Sequence, residues 1–122
     1  MTTSAHIHAS ASFYQRMMGY ADEYGAHVLL HKSDGSAIAQ SMIIRQFLKF
    51  LWQQHAITNL QQVTVSMANS QFYAKYKQMN DSIISSTEMK NILKSFFTFV
   101  HLNHAVRSAK LMKGFEQRAK SD

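Results

Sequence analysis

The chain has no proline and only four glycines among its 122 residues, so little in it interrupts a helix. Hydrophobic residues make up 46% of the sequence, which is enough to form a core and excludes a disordered chain. Apolar residues recur three or four positions apart along most of the length. The sequence therefore predicts an all-α fold, a compact bundle of about five helices in one domain over residues 13–122, after a flexible N-terminal arm over 1–12.

Two long helices are predicted in the first half of the chain. The first covers 13–31, although Gly19 and Gly25 weaken its continuity. The second covers 37–55, and Ser36 is placed to cap it. Residues three or four positions apart on the first helix are Phe13, Met17, Tyr20, Tyr24, Val28 and His31. The apolar side of the second helix, which we expect to face the core, holds Ile38, Met42, Ile44, Phe47, Leu48 and Leu51.

The next part of the chain is predicted to contain a loop and two further helices. The loop covers 57–63, and the third helix covers 65–79 with Thr64 or Ser66 as its cap. The fourth helix begins at a capping box formed by residues 85–88. The predicted core positions in this part are Ile57, Leu60, Val63, Phe72, Tyr76, Met79, Met89, Ile92, Leu93, Phe96, Phe97 and Val100.

Basic residues outnumber acidic ones: the chain has thirteen Lys and Arg residues and seven Asp and Glu residues, which gives a net charge of +6. The segment from 35 to 78 contains four basic residues and no acidic one. This imbalance favours a polyanionic partner. The absence of cysteine excludes disulfides and thiolate metal sites, and it suits a reducing cytoplasm. No apolar run approaches the ~18 residues of a membrane span, so we expect a cytoplasmic protein with no membrane contact.

Four segments follow one another in an order that is typical of one protein family. They are RQFLKFL at 45–51, ITNLQQVT at 57–64, SST at 85–87 and LKSFFTF at 93–99. In this order and spacing the chain resembles the core-binding domain of tyrosine recombinases and phage integrases, an all-helical module that binds double-stranded DNA. The resemblance covers nearly the whole chain and implies a role in DNA recombination or integration by a mobile genetic element.

The resemblance also implies which surface meets DNA, because the family docks its second and fourth helices in the major groove. A helix fits that groove, and lysines one turn apart can reach phosphates or guanine edges. The simpler interpretation is that Lys90 and Lys94 only solvate an amphipathic helix. The candidate DNA-binding residues are Ser36, Gln40, Arg45 and Lys49 on the second helix and Ser86, Thr87, Lys90, Asn91 and Lys94 on the fourth.

Catalysis is not expected of this chain. In the resembled family it belongs to a second domain with paired arginines, a lysine, a His-x-x-Arg pair and a nucleophilic tyrosine. His104 and Arg107 copy the spacing of that pair, but no tyrosine follows Tyr76. The chain is therefore interpreted either as the core-binding domain of a longer recombinase or as a stand-alone DNA-binding factor, and we expect no enzymatic activity.

Seven histidines raise the question of a metal site. His27 and His31 lie four residues apart, and His101 and His104 lie three apart, so each pair shares one helical face. We identify no third ligand for either pair. The sequence therefore predicts surface histidines, with no metal and no other cofactor.

A protein-interaction module is the alternative from another functional class. A fifth helix, basic and amphipathic, is predicted over 105–120, with Val106, Leu111, Met112 and Phe115 exposed on it. In the resembled family the first and fifth helices help to hold neighbouring subunits together. The chain could thus self-associate or bind a recombinase, or another partner, instead of DNA.

Overall fold

The computed structural model describes residues 2–79, 84–106, 111 and 113, and every regular element in those ranges is helical. The predicted all-α class is confirmed. The chain divides into two compact units, 1–59 and 60–122, where the sequence predicted one domain. The elements are α1 (Thr2–Leu29), α2 (Asp34–His55), a 3-10 helix (Leu60–Gln62), a π-helix (Met67–Phe72), α3 (Tyr73–Met79) and α4 (Ser86–His104).

Helix α1 begins much earlier than predicted. It runs without interruption from Thr2, so residues 2–12, predicted as an arm, are helical, and the predicted start at residue 13 was wrong. Ser10 is buried one turn ahead of Phe13, which shows that packing extends beyond the predicted start. The buried positions that follow keep the helical spacing: Phe13, Met17, Ala21, Tyr24 and Val28.

Replacing Gly19 with alanine should stabilise the protein. Gly19 lies inside α1, and a Cβ at this position would meet no atom within 4 Å. Because glycine in a helix costs about 0.5–1 kcal/mol relative to alanine, Gly19→Ala should raise the free energy of unfolding by about that amount in a urea titration. Gly25→Ala is the matched control and should gain less, since its Cβ would lie 3.2 Å from Ser41 Oγ. A decrease for Gly19→Ala would contradict the continuous α1.

Helices α1 and α2 pack as an antiparallel hairpin within the first unit. Ser33 lies in the turn between them, and its Oγ accepts a hydrogen bond from the Ser36 backbone N–H at 3.3 Å. Ser33 is therefore the N-cap, and the prediction that Ser36 caps this helix was wrong by three residues. The helix ends at His55, and Ala56 after it adopts the left-handed conformation with φ 47°.

The exposed side of α2 carries two apolar residues that were predicted to lie in the core. Ile38 is 59% exposed and Met42 is 53% exposed. Ile38 lies one position, about 100° of rotation, past the buried Ala37. Met42 lies one position past Ser41, whose Oγ is 3.2 Å from where a Cβ on Gly25 of α1 would be. The buried residues of α2 are Ala37, Ile43, Ile44, Phe47, Leu48, Phe50 and Leu51.

The third predicted helix is present, but part of it is wound differently. Thr64 Oγ1 accepts a hydrogen bond from the Met67 backbone N–H at 3.3 Å, which confirms Thr64 as a cap. Residues Met67–Phe72 form the π-helix, and α3 continues from Tyr73. Before this helix, Ile57, Leu60 and Val63 are buried as predicted, and a single 3-10 turn forms among them.

Helix α4 follows its prediction most closely. Ser85 Oγ accepts a hydrogen bond from the Glu88 backbone N–H at 3.1 Å, which confirms Ser85 as the N-cap. The helix ends at His104, and Ala105 adopts the left-handed conformation with φ 55°. Its predicted core residues are buried, apart from Ile92, which is half-buried: Met89, Leu93, Phe96, Phe97 and Val100.

Most of the fifth predicted helix lies outside the described residues, as do Met112 and Phe115. Leu111 is helical and fully buried, so the prediction that it is exposed was wrong, and Val106 is half-buried. Within the described part of the chain, no helix combines the length and the apolar character needed to cross a membrane.

Candidate nucleic-acid interface

Ser36 and Gln40, two of the candidate residues on α2, belong to a hydrogen-bond chain inside the hairpin. The Tyr24 hydroxyl donates to Gln40 Oε1 at 3.1 Å, and Gln40 Nε2 donates to Ser36 Oγ at 3.4 Å. Tyr24 is buried, while Ser36 and Gln40 are half-buried. Gln40 therefore joins α2 to α1, and Ser36 holds the Gln40 side chain from within α2; neither role is evident from the sequence.

Arg45 forms an ion pair on the outside of the hairpin. Its Nη2 donates to Oδ1 of Asp22 on α1, and both side chains are exposed, by 42% and 62%. An exposed pair of this kind contributes only about 0–1 kcal/mol to stability, so its main effect is to neutralise the charge of Arg45. This pairing is not evident from the sequence, because Asp22 lies 23 positions earlier.

Lys49 is exposed one turn after Arg45. Trp52 follows on the same side of α2, and its ring stacks on Tyr14 with centroids 4.5 Å apart and planes at 12°. Both aromatic residues are half-buried. This stack supports a packing role for Trp52.

The five candidate residues on α4 are all at least partly exposed. Ser86, Thr87 and Asn91 are exposed, and Lys90 and Lys94 are half-buried. Half-burial is the usual state of a lysine whose aliphatic stem lies along a protein surface while its ammonium reaches water. The arrangement thus places two positive charges one turn apart in the N-terminal half of the helix.

Two lysines and a tyrosine on α3 add to this region and were missed in the sequence analysis. The Tyr73 hydroxyl donates to the Ile84 carbonyl at 3.0 Å, which fixes the residue just before the Ser85 cap. Lys75 and Lys77 are exposed, and Lys77 Nζ lies 5.5 Å from the Tyr73 ring centroid. A cation beside an aromatic face is held in place by the ring quadrupole, so this lysine remains at the surface near Tyr73.

Charge is divided unequally between the two units. Residues 60–122 contain nine basic and four acidic residues, whereas residues 1–59 contain four basic and three acidic residues. The second unit therefore carries +5 of the +6 net charge. Since Arg45 is paired with Asp22, the strongest attraction for a polyanion lies in the unit that contains α3 and α4.

The chain was compared with protein-family models, curated proteins and solved structures. No protein-family model matches the chain, and neither a curated protein nor a solved structure matches it.

Proposed function

We propose that the chain binds double-stranded DNA, with α4 as the principal contact and α2 as the secondary one. The observation that carries the proposal is the polar face of α4, opposite five buried core residues, in the unit that holds most of the positive charge. Positive charge supplies most non-specific affinity for nucleic acid, and a helix supplies a shape that enters the major groove.

The candidate residues divide by the kind of contact that their chemistry allows. Lys90 and Lys94 neutralise phosphates as point charges, because lysine lacks the two-pronged geometry of arginine. The side-chain amide of Asn91 can form hydrogen bonds with the edge of an adenine base. The hydroxyls of Ser86 and Thr87 can form hydrogen bonds with the sugar-phosphate backbone of DNA.

Helix α2 supplies a smaller share of the proposed interface. Lys49 is exposed, whereas Arg45 must exchange Asp22 for a phosphate before it contributes. Ser36 and Gln40 are hydrogen-bonded within the hairpin. Their share in DNA binding is therefore to maintain the shape of the hairpin surface. The proposed setting is site-specific recombination, either as the core-binding domain of a tyrosine recombinase or as a separate DNA-binding factor of a mobile element, without catalysis by this chain.

Binding to duplex DNA should weaken steeply with salt. With roughly six phosphate contacts, the affinity should fall about a thousandfold between ~50 and ~200 mM salt, because each contact releases a condensed counterion. Fluorescence anisotropy with a labelled duplex measures this slope directly. An affinity that stays constant over that range would contradict the electrostatic interface.

A protein-interaction module is the alternative, and one surface of the first unit favours it. A groove of about 300 Å³ lies between α1 and α2, and Leu29 and Ile38 at its edge are 49% and 59% exposed. Met42, exposed by 53%, follows Ile38 by one turn. Apolar surface of this kind suits a protein partner. The absence of salt-dependent DNA binding would move this alternative ahead of the DNA proposal.

A further inference from the structure

We propose that His27 and His31 form a two-histidine site for a divalent late transition-metal ion such as Zn²⁺, Ni²⁺ or Cu²⁺. Both residues are exposed at the C-terminal end of α1, and their ring centroids lie 4.9 Å apart. Neutral imidazole is a preferred ligand of these ions. The site is independent of the proposed DNA contacts.

The separation of the two rings suits a shared metal ion. Two imidazoles whose nitrogens lie about 2 Å from one ion hold their ring centroids about 5 Å apart. The 4.9 Å found between His27 and His31 is close to this value. Binding would therefore require rotation of the rings and little displacement of the backbone.

Contacts on both sides restrict the pair before any ion binds. The His27 ring lies 6.3 Å from the ring of buried Tyr24, which is itself bonded to Gln40. His31 lies in the turn after the helix, where its backbone N–H donates to the Val28 carbonyl at 3.0 Å. The Lys32 N–H donates to the same carbonyl at 2.8 Å. These contacts fix the backbone that carries the pair, so less entropy is lost on binding than for two residues of a mobile segment.

Local electrostatics also favour a cation. The C-terminal end of a helix carries the partial negative charge of the helix dipole, and His27 lies in the last turn of α1. Glu23 adds a negative charge one turn earlier, while Lys32 opposes it; both are exposed and screened by salt. Among the described residues no group of three His, Cys, Asp or Glu could hold an ion, so water would complete the coordination.

Isothermal titration of the full chain with ZnCl₂ tests the site. We expect a stoichiometric binding event that weakens by at least about tenfold in His27→Ala and in His31→Ala, because each loses the second ligand held at high effective concentration. The double variant His101→Ala/His104→Ala is the matched control and should bind as the wild type does. The ring resonances of His27 and His31 should shift together when Zn²⁺ is added.

Three results would overturn the proposal. They are the absence of Zn²⁺ binding by the wild type, unchanged binding in both single variants, and loss of binding in the control variant alone. Circular dichroism of each variant verifies the fold, which both single substitutions should preserve because the two side chains are exposed.

Discussion

Reversing the charges of Lys90 and Lys94 should abolish DNA binding and leave the fold intact. In the double variant Lys90→Glu/Lys94→Glu, two phosphate contacts become two repulsions on the face that we propose for DNA. The loss of two contacts alone costs about tenfold in affinity at moderate salt, and the added repulsion brings binding below detection. Both side chains are only half-buried, so the core does not depend on them. Anisotropy measures the affinity, and far-UV circular dichroism measures the helix content.

A second double variant controls for net charge. Arg16→Glu/Lys32→Glu changes the total charge by the same amount, but both positions are exposed on α1 or the turn after it and are not candidates for DNA contact. It should retain most of the binding. If Lys90→Glu/Lys94→Glu stays folded and binds DNA as the wild type does, α4 is not the DNA-contacting helix, and the protein-interaction alternative takes precedence.

Phe96→Ala should destabilise the protein by about 3–5 kcal/mol, because it leaves a cavity in a site that cannot fully collapse. Phe96 is completely buried, and its ring lies 5.2 Å from that of Phe97. Urea denaturation followed by circular dichroism gives the free energy of unfolding. Such a loss is a large part of the stability of a domain of this size.

Phe99→Ala is the matched control for this prediction. It removes the same side chain from the same helix, but Phe99 is only half-buried, so the loss should be clearly smaller. Equal losses at the two positions would contradict the packing described for α4. Together with the lysine variants, the pair separates the surface of α4 from its core.

How much of the structure the sequence could predict depended on how local the signals were. Helix α4 has a cap, a clear period and a buried face within about twenty consecutive residues, and its start and core were predicted correctly. The start of α1 was missed because residues 2–12 contain small and polar residues that give little helical period. The cap of α2 was predicted at Ser36 instead of Ser33, because both carry a hydroxyl just before the first apolar positions of the helix.

The parts of the candidate site that could not be predicted depend on contacts between distant residues. The pairing of Arg45 with Asp22 and that of Gln40 with Tyr24 arise only when α1 and α2 lie side by side. The exposure of Ile38 likewise depends on which face of α2 meets α1. The π-helix could not be predicted either, because no sequence pattern signals it as clearly as a cap or an apolar period signals an α-helix. Its wider winding depends on the residues packed around it.

The left-handed alanines Ala56 and Ala105 have a consequence for which sequences this fold can accept. Both helices end at a residue whose Cβ crowds the following carbonyl, at a cost of roughly 1–2 kcal/mol that glycine would avoid. Alanine is the smallest side chain that bears this strain, and a branched residue such as valine would bear more. Positions 56 and 105 should therefore reject β-branched side chains, whereas glycine or asparagine, which adopt the left-handed conformation more readily, should be accepted.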